Sequence, residues 1–273
     1  MPQADELKKQ ALIRLCDQPQ PPLLMFDYDG TLAPFVVDRD QAFPFPEAKR
    51  LLEEIRLKTL AKVVIVSGRP VEDVARLLAL EPRLETWGCH GWERCSATGE
   101  LSTGELPGAA RKLFVELESW LVTLKLHQCV ELKPASIALH WRGLEESEQR
   151  ILEKRARQKW AELAGDKLLQ LHEFDGGLEW RLPGWSKADA VKTLLRESRA
   201  GTPVAYFGDD LTDEDAFRAL PEGGVAVLVR DQPRDSAAEL WLRPPNDLMH
   251  FLRMLLERLR HRHERKAKTG EPQ

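Results

Sequence analysis

The pattern of this chain predicts an α/β protein whose core is a parallel sheet, interrupted once by a smaller α+β insertion. Short apolar runs recur at Leu23–Phe26, Lys62–Val66, Pro203–Phe207 and Val225–Val229. Polar, glycine-bearing loops follow the first three, and helix-period stretches lie between the runs. That is the rhythm of strand, crossover and strand with right-handed connections. From residue 109 to residue 183 the rhythm changes to long amphipathic helices and alternating strands, which marks a second domain.

In order, residues 1–18 carry Leu7, Ala11, Leu12 and Leu15 on one helical face, so a helix packed on the core is expected. Gln18–Pro22 breaks it. Leu23–Phe26 reads as a buried strand, and a proline-rich loop over 33–46 leads to a helix beginning at Pro46. Lys62–Val66 is a second strand ending at Ser67-Gly68-Arg69-Pro70, before a helix with Val74, Leu77 and Leu78 inward. Trp87–Glu93 is the third polar exit. In the insertion, Ala109–Leu126 and Leu144–Leu163 read as helices and Val130–Arg142 as one strand. Lys167–Glu173 and Gly177–Leu182 read as a hairpin turning at Asp175-Gly176-Gly177. The core resumes with a helix over 188–195, a strand that exits at Gly208-Asp209-Asp210, a last strand over 225–229 and a closing helix over 248–259. Residues 1–108 and 184–273 are therefore expected to form one domain and 109–183 the other.

Composition excludes several classes. At 273 residues the chain allows one large or two modest domains, and 42% apolar with 31% charged residues suits a soluble globular protein. A net charge of −4 gives no general pull toward nucleic acid or an anionic membrane. The basic stretch Arg258–Lys268 reads as a frayed, solvated tail. Neither a membrane span nor a signal peptide is indicated. The four scattered cysteines make no zinc site and no disulfide framework, so a cytoplasmic setting is expected.

The chemistry gathers at the strand exits. Asp27 and Asp29 point to one side of a strand end, where two anions repel unless a cation or shared proton offsets them. Mg²⁺, a hard cation that takes one or two carboxylates plus a phosphate, is the simplest answer. Asp27 can attack phosphorus to form an aspartyl-phosphate, and Asp29 can protonate the leaving alkoxide and then deprotonate water. Ser67 and Lys187 supply donors for phosphoryl oxygens. In the acidic exit Asp209, Asp210 and Asp213, one residue is expected to ligate Mg²⁺ while the others orient ligands or Lys187. Each piece alone has a plainer reading as a turn, a helix cap or a surface charge.

Asp27-Tyr-Asp29-Gly-Thr-Leu, strand-borne Ser67, Lys187 and Gly208-Asp209-Asp210 resemble the four motifs of the haloacid dehalogenase superfamily of phosphohydrolases. Within it, four stretches resemble the trehalose-6-phosphate phosphatases: Gly88–Glu93, Glu131–Lys133 with Ala138–Arg142, Leu178–Arg181, and Gly208–Phe217. The resemblance implies a Rossmann-like core with a mobile cap. It implies Mg²⁺ held by Asp27, the Asp29 carbonyl and Asp209, and hydrolysis of trehalose 6-phosphate. By the same resemblance, Glu131, Lys133 and Glu179 read the sugar. Gly68, Arg69, His90, Glu93 and Arg142 are further candidate substrate-binding positions. A small sugar phosphate is the expected partner, with a trehalose-6-phosphate synthase in the same pathway. Two rival readings stand beside this one. One is a phosphatase of a glucosylglycerol or glycosyl-glycerate phosphate; the other is a non-catalytic module of a trehalose synthase. The chain departs from the family at Ala188, where glycine is usual, and at Cys89, where asparagine is common; neither removes a catalytic group.

Overall fold

A computed structural model describes residues 2–124, 129–141, 143–163, 168–174 and 176–269. The chain divides into two compact units, Met1–Leu101 with Ser186–Gln273, and Ser102–Trp185. The elements are α1 (Pro2–Cys16), β1 (Leu23–Phe26), α2 (Pro46–Lys58), β2 (Lys62–Val66), α3 (Val71–Leu78), β3 (Glu85–Gly88), β4 (Glu93–Cys95) and β5 (Leu101–Thr103). Then come α4 (Gly108–Thr123), β6 (Val130–Lys133), β7 (Ser136–His140), α5 (Glu146–Leu163), β8 (Gln170–Phe174) and β9 (Gly177–Arg181). The chain closes with α6 (Lys187–Glu197), β10 (Val204–Gly208), α7 (Glu214–Arg218), β11 (Val225–Val229), β12 (Leu240–Leu242) and α8 (Asn246–Thr269).

The larger sheet runs β12-β11-β10-β1-β2-β3-β4-β5. Its pairs from β12 to β3 are all parallel; β4 turns back antiparallel to β3. From β1 the chain winds one way through β2 and β3, then returns to β10 on the other side of β1. The reversal between β1 and β10 is where open α/β sheets place their ligands, beyond the carboxyl ends of the strands. β1 is buried on both faces. Leu24 and Phe26 join one core with α1, α2, α3 and α8, while Leu23 and Met25 join a second with α6 and α7. This is why β1 reads as an unbroken apolar run rather than an alternating one. Phe26 stacks on Phe207 of β10 at 4.5 Å, locking the two strands whose ends carry the acidic exits.

The smaller unit is an antiparallel sheet, β6-β7-β9-β8. Its apolar face (Ile137, Leu139, Leu178 and Trp180) packs on Leu117 and Leu121 of α4 and Leu152 and Ala156 of α5. Alternation over 130–142 predicts one strand, but the stretch is a hairpin turning at Pro134-Ala135. Proline has no N–H to give a ladder, so the strand ends there. The β8–β9 hairpin forms where expected, with Phe174 opposite Gly177; Asp175 of its turn and Lys167 lie outside the described residues. The basic tail does not fray at Arg258: α8 continues to Thr269. Its arginines and glutamates are good helix formers. In addition, Arg262 is tied to the Pro19 and Gln20 carbonyls. No helix among the described residues is long and apolar enough to cross a membrane.

Candidate active site

The turn after β1 is held from both sides. The Asp27 amide donates to the Phe207 carbonyl of β10, and the Tyr28 carbonyl accepts from the Leu32 and Ala33 amides. Gly30 has φ +77°, and a Cβ there would lie 2.4 Å from Asp209 Oδ2. Glycine is therefore required both for the backbone angle and for the approach of the β10 exit.

Lys187 is the first residue of α6, whose start is capped by the Ser186 side chain accepting from the Asp189 amide. Its buried ammonium lies 2.8 Å from Asp27 Oδ1 and 2.7 Å from Asp213 Oδ1. Asp213 is saturated. Its Oδ1 also accepts from the Tyr206 hydroxyl, and its Oδ2 accepts from the amides of Asp209 and Asp210. Gly208 makes this possible, since a Cβ there would sit 2.4 Å from Asp213 Cγ.

Asp209 is the opposite case. It is 1% exposed, and neither carboxylate oxygen has a hydrogen-bond partner among the described residues. A buried carboxylate without donors is costly unless a cation meets it. Asp27, Asp209 and Asp213 each offer an oxygen within 4.8 Å of the others. Because the lone pairs of Asp213 are used by four donors, Asp27 and Asp209 are the carboxylates that fit a hard cation, with Asp213 orienting Lys187. Burial, opposed by Lys187 and assisted by Asp213 and Asp29, pushes the Asp27 carboxyl up to about 7. Burial, then Asp27, Asp213 and Asp210, drives Asp209 well above the usual carboxylate range. Burial pulls Lys187 down, but the Asp213 and Asp27 carboxylates outweigh it and hold the amine above its ordinary value. One lysine does not neutralise three carboxylates, which is the charge pattern of a divalent-cation site.

β2 pairs with β1, Phe26 opposite Ile65, so Ser67 leaves the sheet beside the Asp27 turn. Ser67 is fully buried and its Oγ accepts from the Arg69 amide. Gly68 leaves room for the His90 ring, 2.7 Å from where a Cβ would stand. Cys89 and His90 both adopt positive φ, 48° and 58°, a conformation that disfavours most side chains. Arg69 and Glu93, expected to touch substrate, have protein partners here. The Arg69 guanidinium donates twice to Asp29, and Glu93 accepts from the Val71 amide at the start of α3. Asp210 caps the short helical turn that carries Asp213.

In the smaller unit, Glu131, Lys133 and Glu179 share the polar face of the sheet. Lys133 Nζ donates to Glu179 Oε1 at 3.0 Å and lies 3.7 Å from Glu131 Oε1. Ser136 and Arg181 also donate to Glu179, and His140 Nε2 lies 3.0 Å from Glu131 Oε2. Arg142 lies outside the described residues. The sequence reading missed Ser136, His140, Arg181, Tyr206 and Arg234. Ser136 and His140 alternate on β7, between β6 with Glu131 and β9 with Glu179, and Arg181 alternates with Glu179 on β9, a signal available in the sequence; Tyr206 and Arg234 offer none.

The chain is similar to known proteins along most of its length. "Probable trehalose-phosphate phosphatase 3" of Oryza sativa subsp. japonica is 28% identical over 260 residues, covering 86% of this chain and 69% of that protein. The trehalose-phosphate phosphatase of Mycobacterium avium is 32% identical over 260 residues, covering 87% of this chain and 63% of that one. The chain thus spans less than the full length of both. The C-terminal domain of Candida albicans trehalose-6-phosphate phosphatase superposes with a TM-score of 0.80 at 20% identity, covering 92% of this chain and 96% of that domain. A haloacid dehalogenase-like hydrolase from B. subtilis superposes at 0.60 with 15% identity, covering 85% and 99% of the two chains. The sequence profile of the trehalose-phosphatase family matches residues 25–243, from inside β1 to just past β12. The profile spans both acidic exits, Lys187 and the whole smaller sheet, and on that match the chain belongs to the trehalose-phosphatase family.

Proposed function

We propose that the chain hydrolyses trehalose 6-phosphate to trehalose and phosphate. The observation that carries this is the juxtaposition of Lys187 on Asp27 with a buried, hydrogen-bond-free Asp209, in a chain of this family. The Asp27 carboxylate attacks phosphorus and the bond from phosphorus to the sugar oxygen breaks. Asp29 gives its proton to the leaving alkoxide, which requires its pair with Arg69 to open. Asp29 then takes a proton from water, and that water attacks the aspartyl-phosphate, releasing phosphate and restoring Asp27. Ser67 and Lys187 bind the phosphoryl oxygens. Mg²⁺ bound by Asp27, Asp209 and the Asp29 carbonyl would offset negative charge on the transferring group. Glu131, Lys133 and Glu179 bind sugar hydroxyls through charged hydrogen bonds, which discriminate against analogues lacking them. Gly68 and His90 shape the phosphate end, and Arg142 adds to the sugar contacts. The substrate is supplied by a trehalose-6-phosphate synthase, and the setting is cytoplasmic, as the scattered cysteines of the sequence suggest.

The test is phosphate release from trehalose 6-phosphate with and without Mg²⁺, beside glucose 6-phosphate and a glucosylglycerol phosphate. Trehalose 6-phosphate is expected to lead by a wide margin in kcat/KM, only with Mg²⁺, and Asp27→Asn is expected to abolish turnover while leaving the fold intact. A fully active Asp27→Asn protein would sink the mechanism. Preference for another sugar phosphate would retire Glu131, Lys133 and Glu179 as trehalose readers.

A further inference from the structure

We infer that Arg234 is a positioning residue for Asp209, fixing the aim of a carboxylate that has no side-chain partner of its own. The inference rests on the cation site proposed above. With both its oxygens unpartnered among the described residues, Asp209 is directed by its backbone and by packing against Gly30. Its amide is held by Asp213 Oδ2. Its carbonyl is held by Arg234, whose Nη2 donates to the carbonyls of Asp209 at 3.3 Å and Asp210 at 2.9 Å. Arg230 reaches the same Asp209 carbonyl more weakly, at 3.4 Å.

Arg234 belongs to the loop between β11 and β12 and is itself anchored. Its Nη1 pairs with Glu214 Oε1 and donates to the Asp235 carbonyl at 2.9 Å. Glu214 is fixed in turn by the Ser236 hydroxyl at 2.7 Å and the Ala237 amide at 2.8 Å. A planar guanidinium with several donors in a fixed fork can take two carbonyls and a carboxylate at once, which an ammonium does not do in one geometry. The consequence is a brace running from Glu214 through Arg234 to the peptide that carries Asp209. Partners of this kind, which orient a ligand without touching the metal, strongly affect metal affinity.

The experiment titrates Mg²⁺ into metal-free protein by calorimetry, with unfolding of the metal-free forms measured alongside. Arg234→Met is expected to weaken Mg²⁺ binding roughly 10- to 100-fold, with Arg234→Lys between it and the wild type. Pro233→Gly loosens the same loop but removes no partner of Arg234 or Glu214, so its Mg²⁺ affinity is expected to stay within about twofold of the wild type. A folded Arg234→Met protein that binds Mg²⁺ like the wild type would show that Arg234 only ties the loop down. If Arg234→Met does not fold, unchanged affinity in Arg234→Lys overturns the inference in its place. Equal weakening in Pro233→Gly also overturns it, because loop order rather than Arg234 would then set the site. A wild type that binds no Mg²⁺ would instead fell the cation site itself.

Discussion

Arg69 closes a bidentate pair on Asp29, its Nε and Nη2 donating to the two carboxylate oxygens at 2.6 and 2.8 Å. The same guanidinium lies 5.8 Å from the Tyr28 ring centroid, so its plane is set before it meets the carboxylate. A bidentate fork of this kind, buried on the Arg69 side and half-buried on the Asp29 side, fixes the orientation of Asp29 and has to open before the proposed proton transfer to the alkoxide. Asp29→Asn is expected to lower kcat by roughly 10²- to 10⁴-fold, the usual worth of a positioned acid–base group. Arg69→Lys removes the fork while keeping the charge, and its loss is expected to be smaller than that of Asp29→Asn. If Arg69 acts through Asp29, adding Arg69→Lys to Asp29→Asn should cost little more. Steady-state kinetics of the two single variants and the double variant decide this, and additive losses would mean that Arg69 has a separate task.

Gly30 and Gly99 form a natural control pair. Both have positive φ, +77° and +86°, but a Cβ at Gly99 meets nothing within 4 Å while one at Gly30 meets Asp209 Oδ2 at 2.4 Å. Gly99→Ala is expected to cost about 1 kcal/mol, the penalty of a left-handed alanine alone. Gly30→Ala carries that penalty plus an overpacking cost of about 1–3 kcal/mol, and it displaces Asp209. Denaturant unfolding reads the stability difference, and Mg²⁺-dependent turnover reads the displacement. Equal effects of the two substitutions would show that the turn and the β10 exit do not depend on each other.

Much of this arrangement is legible in the sequence, and the limits have physical causes. Asp27 and Asp209 stand at the ends of strands buried on both faces, so an apolar run points directly at each. Lys187 follows a helix-capping serine, which marks its place on α6. β4, β5 and β12 are three residues each, too short for any period to register. The alternation over 130–142 passes through Pro134 without a break, so only the missing N–H reveals a hairpin. Arg69 shows its charge in the sequence but not its partner, 40 residues away. Arg234 sits in Arg230-Asp-Gln-Pro-Arg234, which reads like any solvated loop. Its task depends on carbonyls that only the fold brings near, and a carbonyl leaves no mark in a sequence pattern.

The Glu214 carboxylate gives a stability prediction separate from turnover. Burial pushes it up, but the Ala237 amide, the Ser236 hydroxyl and Arg234 outweigh burial and hold it below the ordinary glutamate range. A group whose folded value is depressed stabilises the protein above its unfolded value, and that contribution disappears as pH falls through the folded value. Glu214→Gln is therefore expected to lose about 1–3 kcal/mol near pH 7, by leaving buried donors poorly matched. The gap between variant and wild type should hold down to about pH 4.3, the unperturbed glutamate value, and close below it. Urea unfolding across that range checks the sign; a gap that widens in acid would contradict it.

The crowded carboxylates set the last expectation, which concerns metal removal. Asp27 is pushed up to about 7 by burial, against Lys187, and Asp209 is raised by burial and by its acidic neighbours. Without a cation, the folded state therefore binds more protons at Asp27 than the unfolded chain does, from the unperturbed carboxylate range up to about pH 7, and Asp209 adds to the excess in the same direction. Where the native state binds the extra protons, stability falls as pH rises, so Asp27 opposes folding most strongly above about pH 7 and least in mild acid, and Asp209 acts in the same direction. A divalent cation replaces those protons, and its binding releases them. Stabilisation by a fixed, saturating Mg²⁺ concentration is accordingly expected to be large at pH 8 and to shrink as pH falls through 7 toward 5. Thermal unfolding with Mg²⁺ and with EDTA at each pH measures the difference directly and cancels titrating groups elsewhere in the chain. Asp209→Asn removes one of the two proton-binding groups and one ligand, so both the Mg²⁺ stabilisation and most of its pH dependence should go with it. A Mg²⁺ effect that is flat with pH, or that survives in Asp209→Asn, would place the cation on other groups.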